Sequence, residues 1–248
     1  MSNRSRAALI HLAISLIIAA LAAGLVFLLW YPEPYGQLSG GRELFLILVI
    51  VDVIIGPAIT LIIYSTKKSR LHLLADFSVI GALQLSALFY GLWTMHEARP
   101  VHLVFEYHRM AVVHAVDVHP ELLQEAPAAY RRLPLTGPTL LSLRPLSANE
   151  MFDFTMLALD GIPLAAQPGL WQPYAHARAD ILKESRPLAE LRSRFPEQAP
   201  QIDKAAARAG LPEKQLRYLP MLARTAAWTV LIDAESLLPV GYLPIDSF

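Results

Sequence analysis

No cysteine occurs in the 248 residues, so disulfides, thiolate zinc sites and thiol nucleophiles are excluded. Charge is scarce as well: 17% of residues, against ~25% in soluble domains. The 21 basic and 21 acidic residues cancel, leaving no excess of one sign to hold nucleic acid or an anionic surface. The chain contains no Walker A sequence, no G-x-G-x-x-G and no G-x-S-x-G, so neither nucleotide binding nor a serine nucleophile has support. H-x-x-x-H and H-E-x-x-H spacings are missing too. His102, His108, His114 and His119 cluster in sequence. However, a two-residue turn at His108-Arg109 would pair Leu103 with His114 and His102 with Ala115, sending His102 and His114 to opposite faces. Neither a metal nor any other cofactor is expected. Asp153, Asp160 and Asp180 leave open a carboxylate pair brought together in space, against the commoner reading as solvated helix faces.

What the chain has in abundance is apolar residues, 54% of the total, concentrated in residues 7–95. Leu44–Tyr64 is about 21 residues long and apolar except for Asp52 and Thr60, enough to cross a ~30 Å hydrocarbon core. A carboxylate inside such a segment is costly and normally faces other helices. The Gly56-Pro57 pair predicts a kink, because proline removes a backbone donor. Residues 7–30 form an earlier apolar run with only His11 and Ser15 polar, and it ends in Trp30-Tyr31, read as an interfacial aromatic anchor. A cleaved signal peptide is the alternative, but its apolar core would be only ~7–15 residues long. A third run covers about 74–95, with Asp76 at its start and Gln84 inside. The expected architecture is a membrane protein with three transmembrane α-helices in residues 1–97, followed by an α+β domain in 98–248.

Arg4, Arg6, Lys67, Lys68 and Arg70 flank one side of these spans, with Arg42 and Arg99 on the other. That asymmetry puts the N-terminus and the 65–72 loop in the cytoplasm and the last ~150 residues in the periplasm of a bacterium. With that orientation Asp52 lies about 12 Å and Gln84 about 16 Å below the outer end of their helices, so Gln84 is expected to donate a hydrogen bond to Asp52. Asp52 reads equally as bundle glue or as a partner-binding group. Gly56, Gly81 and Ser86 are small residues available for helix packing.

Beyond residue 98, residues 101–118 predict a β-hairpin and 120–132 a short helix. Thr139–Leu143 predicts a strand, and Ala148–Leu159 a helix opened by a Ser147/Glu150 capping box. Residues 174–218 read as mainly helical, and 227–232 and 238–243 as a closing strand pair. The 204–216 stretch has the look of a helix-turn-helix, but on the outer side of a membrane it has no DNA to read.

Several short stretches then resemble one family. They are Trp30-Tyr31-Pro32; Val51-Asp52-Val53-Ile54-Ile55-Gly56-Pro57 with Thr60-Leu61; Asp76, Gln84-Leu85 and Tyr90-Gly91-Leu92; and Ala98-Arg99-Pro100-Val101 with Leu103-Val104-Phe105. Tyr218-Leu219-Pro220 and Val240-Gly241-Tyr242-Leu243-Pro244 complete the pattern. Together they resemble the type IV pilin accessory proteins (TfpX/TfpZ-like) over most of the chain, residues 120–210 least. The resemblance implies an inner-membrane, non-catalytic factor that stabilises or helps assemble its cognate type IV pilin, the major pilin first, alongside other pilus assembly proteins. Its partners are then the pilin and the lipid bilayer, with no nucleic acid. Asp52, Gly56, Pro57, Asp76, Gln84 and Arg99 are the candidate partner-binding or bundle-polar residues. A membrane-anchored periplasmic enzyme that modifies pilin or another envelope substrate is the alternative.

Overall fold

The computed structural model describes residues 3–65, 68–224 and 226–248. Lys67, counted above among the loop cations, lies outside them. The chain divides into two compact units, Met1–Ala98 and Arg99–Phe248.

The first unit holds three helices long and apolar enough to cross a membrane: Asn3–Trp30, Gly41–Ile63 and Arg70–Glu97. Each starts earlier than hydropathy alone suggests, and for a local reason. Gly40 adopts a left-handed conformation (φ 73°), which suits glycine and sets the start of the second helix at Gly41. Ser69 caps the third, its hydroxyl accepting from the His72 backbone N–H at 3.3 Å. Leu21, Leu28, Ile62, Leu71 and Val79 are exposed, as lipid-facing residues should be.

Gly56-Pro57 does not interrupt the second helix. Ile50–Ile55 widens into a π-helical turn and α-helix resumes at Gly56, with Pro57 in the first turn of that segment. A π-turn moves the expected donor one residue along, so the carbonyl that Pro57 leaves without its helical donor becomes Asp52 O in place of Val53 O. The Gly56-Pro57 pair is accompanied by a change of helical register.

Tyr31 is buried among the helices: its hydroxyl donates to the Met95 backbone oxygen at 2.9 Å, while Trp30 packs edge-on against His96 at 5.3 Å. The ring fits because Gly41 has no Cβ; one placed there would lie 2.6 Å from Tyr31 Cδ1. The ends of the first and third helices are clasped at this point.

The second unit is built on one mixed sheet. Its strands are β1 (Pro100–Glu106), β2 (Arg109–His114), β3 (Thr139–Leu143), β4 (Trp171–Pro173), β5 (Arg186–Pro187), β6 (Leu216–Leu222), β7 (Ala227–Asp233) and β8 (Pro239–Leu243). The order is β4-β3-β1-β2-β6-β7-β8, with β5 beside β6; β1/β3 and β2/β6 are parallel. The α+β class holds, with helices Ala148–Leu159, Arg178–Glu184, Leu188–Arg194 and Ala199–Ala209 around the sheet.

Two apolar cores flank different parts of it. Val104, Ala111, Val113, Leu141 and Trp171 form one, joined by Phe154 and Leu157 of the capped helix. Leu188, Leu191, Ile202, Tyr218 and Leu231 form the other. The capping box at Ser147 is present, and Arg144 clamps Glu150 at 2.7 Å, holding its carboxyl down at about 2.

Three expectations fail in detail. The β1–β2 turn is Tyr107-His108, not His108-Arg109, because Tyr107 takes up a left-handed φ of 58° and Glu106 pairs with Arg109. Leu103 thus pairs with Val112 and His102 with Val113. Residues 120–132 form two 3₁₀ turns, Pro120–Glu125 and Ala128–Tyr130, with Pro127 between them preventing one helix. Finally, residues 216–218 lie in β6, not in a helix. Pro220 is tolerated there because it falls between the stretch paired with β5 and the stretch paired with β2.

Candidate functional site

Polar side chains are rare in the three apolar helices, and the structure gathers several of them in one seam. His11 Nδ1 lies 2.6 Å from Thr60 Oγ1, joining the first helix to the second. Gln84 Nε2 donates to the backbone carbonyl oxygen of Asp52 at 3.0 Å, joining the third helix to the second. Depth arithmetic correctly brings Gln84 to Asp52, but the acceptor is the main chain and not the carboxylate.

The reason lies in Pro57. In α register its N–H would serve Val53 O, and in π register Asp52 O; proline supplies neither. Gln84 supplies a donor to Asp52 O from the neighbouring helix. Gly56 makes the approach possible, since a Cβ there would come within 2.0 Å of Gln84 Nε2. Gly56, Pro57, Gln84 and the Asp52 main chain are one arrangement, and each residue type is required by the others.

The Asp52 side chain is left over from this arrangement. It is 6% exposed, and Oδ1 has no hydrogen-bond partner among the described residues. Two cavities meet at it. One of about 240 Å³, between the second and third helices, is lined by apolar groups including Leu48, Val51 and Ala87. The other, about 150 Å³, lies among all three helices and includes His11, Ser15, Gly81 and Gln84.

The remaining candidates lie elsewhere. Asp76 pairs with Lys68 at 2.6 Å. Arg99 opens the second unit, is buried, and donates from Nε to Pro134 O at 3.2 Å. Gly81 packs against nothing within 4 Å of a notional Cβ, and Ser86 is exposed, so of the three small residues only Gly56 is a close-approach point. His11 and Ser15 join this seam beyond the candidates named from sequence; their signal there is only that they are the two polar residues of an apolar run, and which residues they face is set by how the helices pack.

In the second unit the buried histidines have separate surroundings. His102 Nδ1 meets Thr139 Oγ1 at 2.6 Å, and its ring lies against Trp171 at 4.5 Å; burial pushes its pKa down to about 3. His114 sits with Asp117 at 3.1 Å. Among the described residues no group of three His, Asp or Glu side chains is placed to hold a metal ion.

Comparison with known proteins adds the family. The family model of the fimbrial assembly protein FimB matches residues 1–40. A fimbrial assembly protein of serogroup I from Dichelobacter nodosus is 34% identical over 242 residues, covering 96% of this chain and 94% of the relative. The chain belongs to the fimbrial assembly protein family. This is a type IV pilus accessory family, in line with the resemblance noted in the sequence. The serogroup E1 fimbrial assembly protein of the same organism is 32% identical over the same coverage. That of serogroups C1 and C2 is 41% identical over 120 residues, 48% of this chain and 89% of its own length. No solved structure matches.

Proposed function

We propose that this fimbrial assembly family member is an inner-membrane factor of type IV pilus biogenesis that stabilises its cognate pilin or assists its assembly, without catalysing a reaction. The observation that carries the reading is the 34% identity to a fimbrial assembly protein along 96% of the chain. The relatives are named for assembly and not for an enzymatic activity. In this reading residues 1–97 are the membrane part with a cytoplasmic N-terminus, and 98–248 form a periplasmic domain.

The physical chemistry suits such a task. A pilin awaiting assembly has an apolar helix in lipid and a globular head outside it. A membrane bundle with a polar seam can meet the first, through close packing and interhelical hydrogen bonds. A folded domain outside the membrane can meet the second, and two linked contacts bind more tightly than either alone. Asp52, Gly56, Pro57 and Gln84 are the candidates for the membrane contact.

The test is a clean deletion in the source bacterium, scored for surface pili and total pilin by immunoblot. Loss of pili with pilin retained places the protein at assembly, and loss of both places it at pilin stabilisation. Unchanged pili, pilin amount and pilin mass would overturn the reading. A changed pilin mass alone would replace it with a modifying enzyme.

A further inference from the structure

A groove of about 490 Å³ lies between the end of the first apolar helix and the start of the second, within the ~300–1,000 Å³ usual for small-molecule sites. Phe27, Phe45, Leu46 and Val49 line it, with Arg42 and Glu33 at its loop end. Arg42, Phe45, Leu46 and Val49 are spaced i, i+3, i+4 and i+7, so they share one face of the second helix. Apolar surface therefore continues ~10 Å along the axis from the cation. Phe45 meets the Phe27 ring edge-on at 5.1 Å, which joins this face to the first helix.

Arg42 donates to Glu33 Oε1 at 2.5 Å, but the two side chains are 51% and 74% exposed, so the pair by itself stabilises little. A guanidinium has five N–H donors and a carboxylate two acceptor oxygens, so both can take a second partner. The span Gly41–Ile63 has 23 residues, ~35 Å at 1.5 Å each, which exceeds a ~30 Å hydrocarbon core and sets Arg42 among lipid headgroups. A phospholipid is the molecule at hand there, with phosphate at that level and acyl chains below it. A cation alone would favour any anionic lipid. With a carboxylate beside it, the pair favours a headgroup carrying both a phosphate and a primary ammonium.

We propose that this groove binds a phosphatidylethanolamine-type phospholipid. One acyl chain lies along Phe27, Phe45, Leu46 and Val49, the phosphate accepts from Arg42, and the ammonium donates to Glu33. Both ends of the headgroup then gain a charge-assisted hydrogen bond. A glycerol headgroup offers Glu33 no cation, and a choline headgroup has no N–H to donate. The inference needs only that the helices cross a membrane, and it stands apart from the pilus role.

The test uses the full-length protein, purified in detergent, stripped of lipid and given equal amounts of phosphatidylethanolamine, phosphatidylglycerol and phosphatidylcholine with matched acyl chains. Native mass spectrometry counts the lipid of each kind retained. Phosphatidylethanolamine should be retained about tenfold over either competitor. Arg42→Gln removes the phosphate donor and should abolish that advantage. Glu33→Gln should erase the preference over phosphatidylglycerol. Val49→Trp fills the groove from its apolar side and should bring phosphatidylethanolamine down to the level of the other two. Leu28→Trp, at an exposed position outside the groove, should leave the selectivity intact. Equal retention of the three lipids would mean that the groove holds only bulk membrane lipid, and a preference for phosphatidylglycerol would make it a simple anion site; either overturns the proposal. Selectivity that survives in any of the three groove variants overturns it too.

Discussion

Gln84 Nε2 sits 3.0 Å from the Asp52 backbone oxygen, in the place where proline at position 57 provides no donor. Gln84→Leu should therefore unmake the joint between the second and third helices, at ~1–2 kcal/mol. Gly56→Ala should cost ~1–3 kcal/mol by driving a methyl into the same amide. The two effects should not add: with Gln84 shortened to Ala, Gly56→Ala should be nearly silent, since its clash partner is gone. Thermal denaturation of the detergent-purified protein measures all three, and additive losses would show the two residues act separately.

The Tyr31 clasp can be tested in the same way. Tyr31→Phe removes the hydroxyl from Met95 O and leaves that buried carbonyl with one partner fewer, at about 1 kcal/mol. Gly41→Ala should cost more, because its Cβ meets the ring itself and not the far end of a flexible chain. An equal or smaller loss in Gly41→Ala would contradict the packing described.

His102 makes the second unit sensitive to acid. Its pKa is held near 3 in the fold by burial, against about 6.5 in an exposed histidine. Between those values the unfolded chain binds a proton that the folded chain refuses. The stability His102 permits is thus complete above pH 6.5 and is lost as pH falls toward 3, by up to ~1.4 kcal/mol per pH unit. Urea midpoints should fall from pH 7 to pH 5, and His102→Gln should flatten that fall.

Leu191 and Ile202 are fully buried in the core beside β6 and β7. Leu191→Ala should cost ~2–5 kcal/mol through lost burial and the cavity left behind. Truncating the exposed Leu182 should cost far less. Comparable losses at the two positions, read as urea midpoints, would mean that the core has been misplaced.

The parts of this molecule legible in the sequence are those governed by local chemistry. Apolar length marks the three helices, and Ser147 with Glu150 marks a helix start. The parts that resisted depend on partners far away along the chain. Nothing near Tyr107 announces a left-handed turn residue, since glycine or asparagine normally fills that role. Leu216–Leu222 follows helix signals and contains a proline, and only its pairing with β7 and β2 makes it a strand. In the bundle the polar residues were individually conspicuous, but which atom Gln84 would choose depended on the π register of the facing helix.

The sheet's middle joint has a consequence for synthesis. β2 meets β6 only through Met110–Met221 and Ala111–Leu222, so the two halves of the sheet are stitched by residues more than a hundred positions apart. A contact at that separation forms late, because a long loop must close before it gains anything. As the polypeptide leaves the ribosome, β1 to β4 can pair with each other while β2 still shows a bare strand edge. That edge is covered only once Leu216–Leu222 has been made, more than a hundred residues after β2, and until then the growing chain carries an aggregation-prone face.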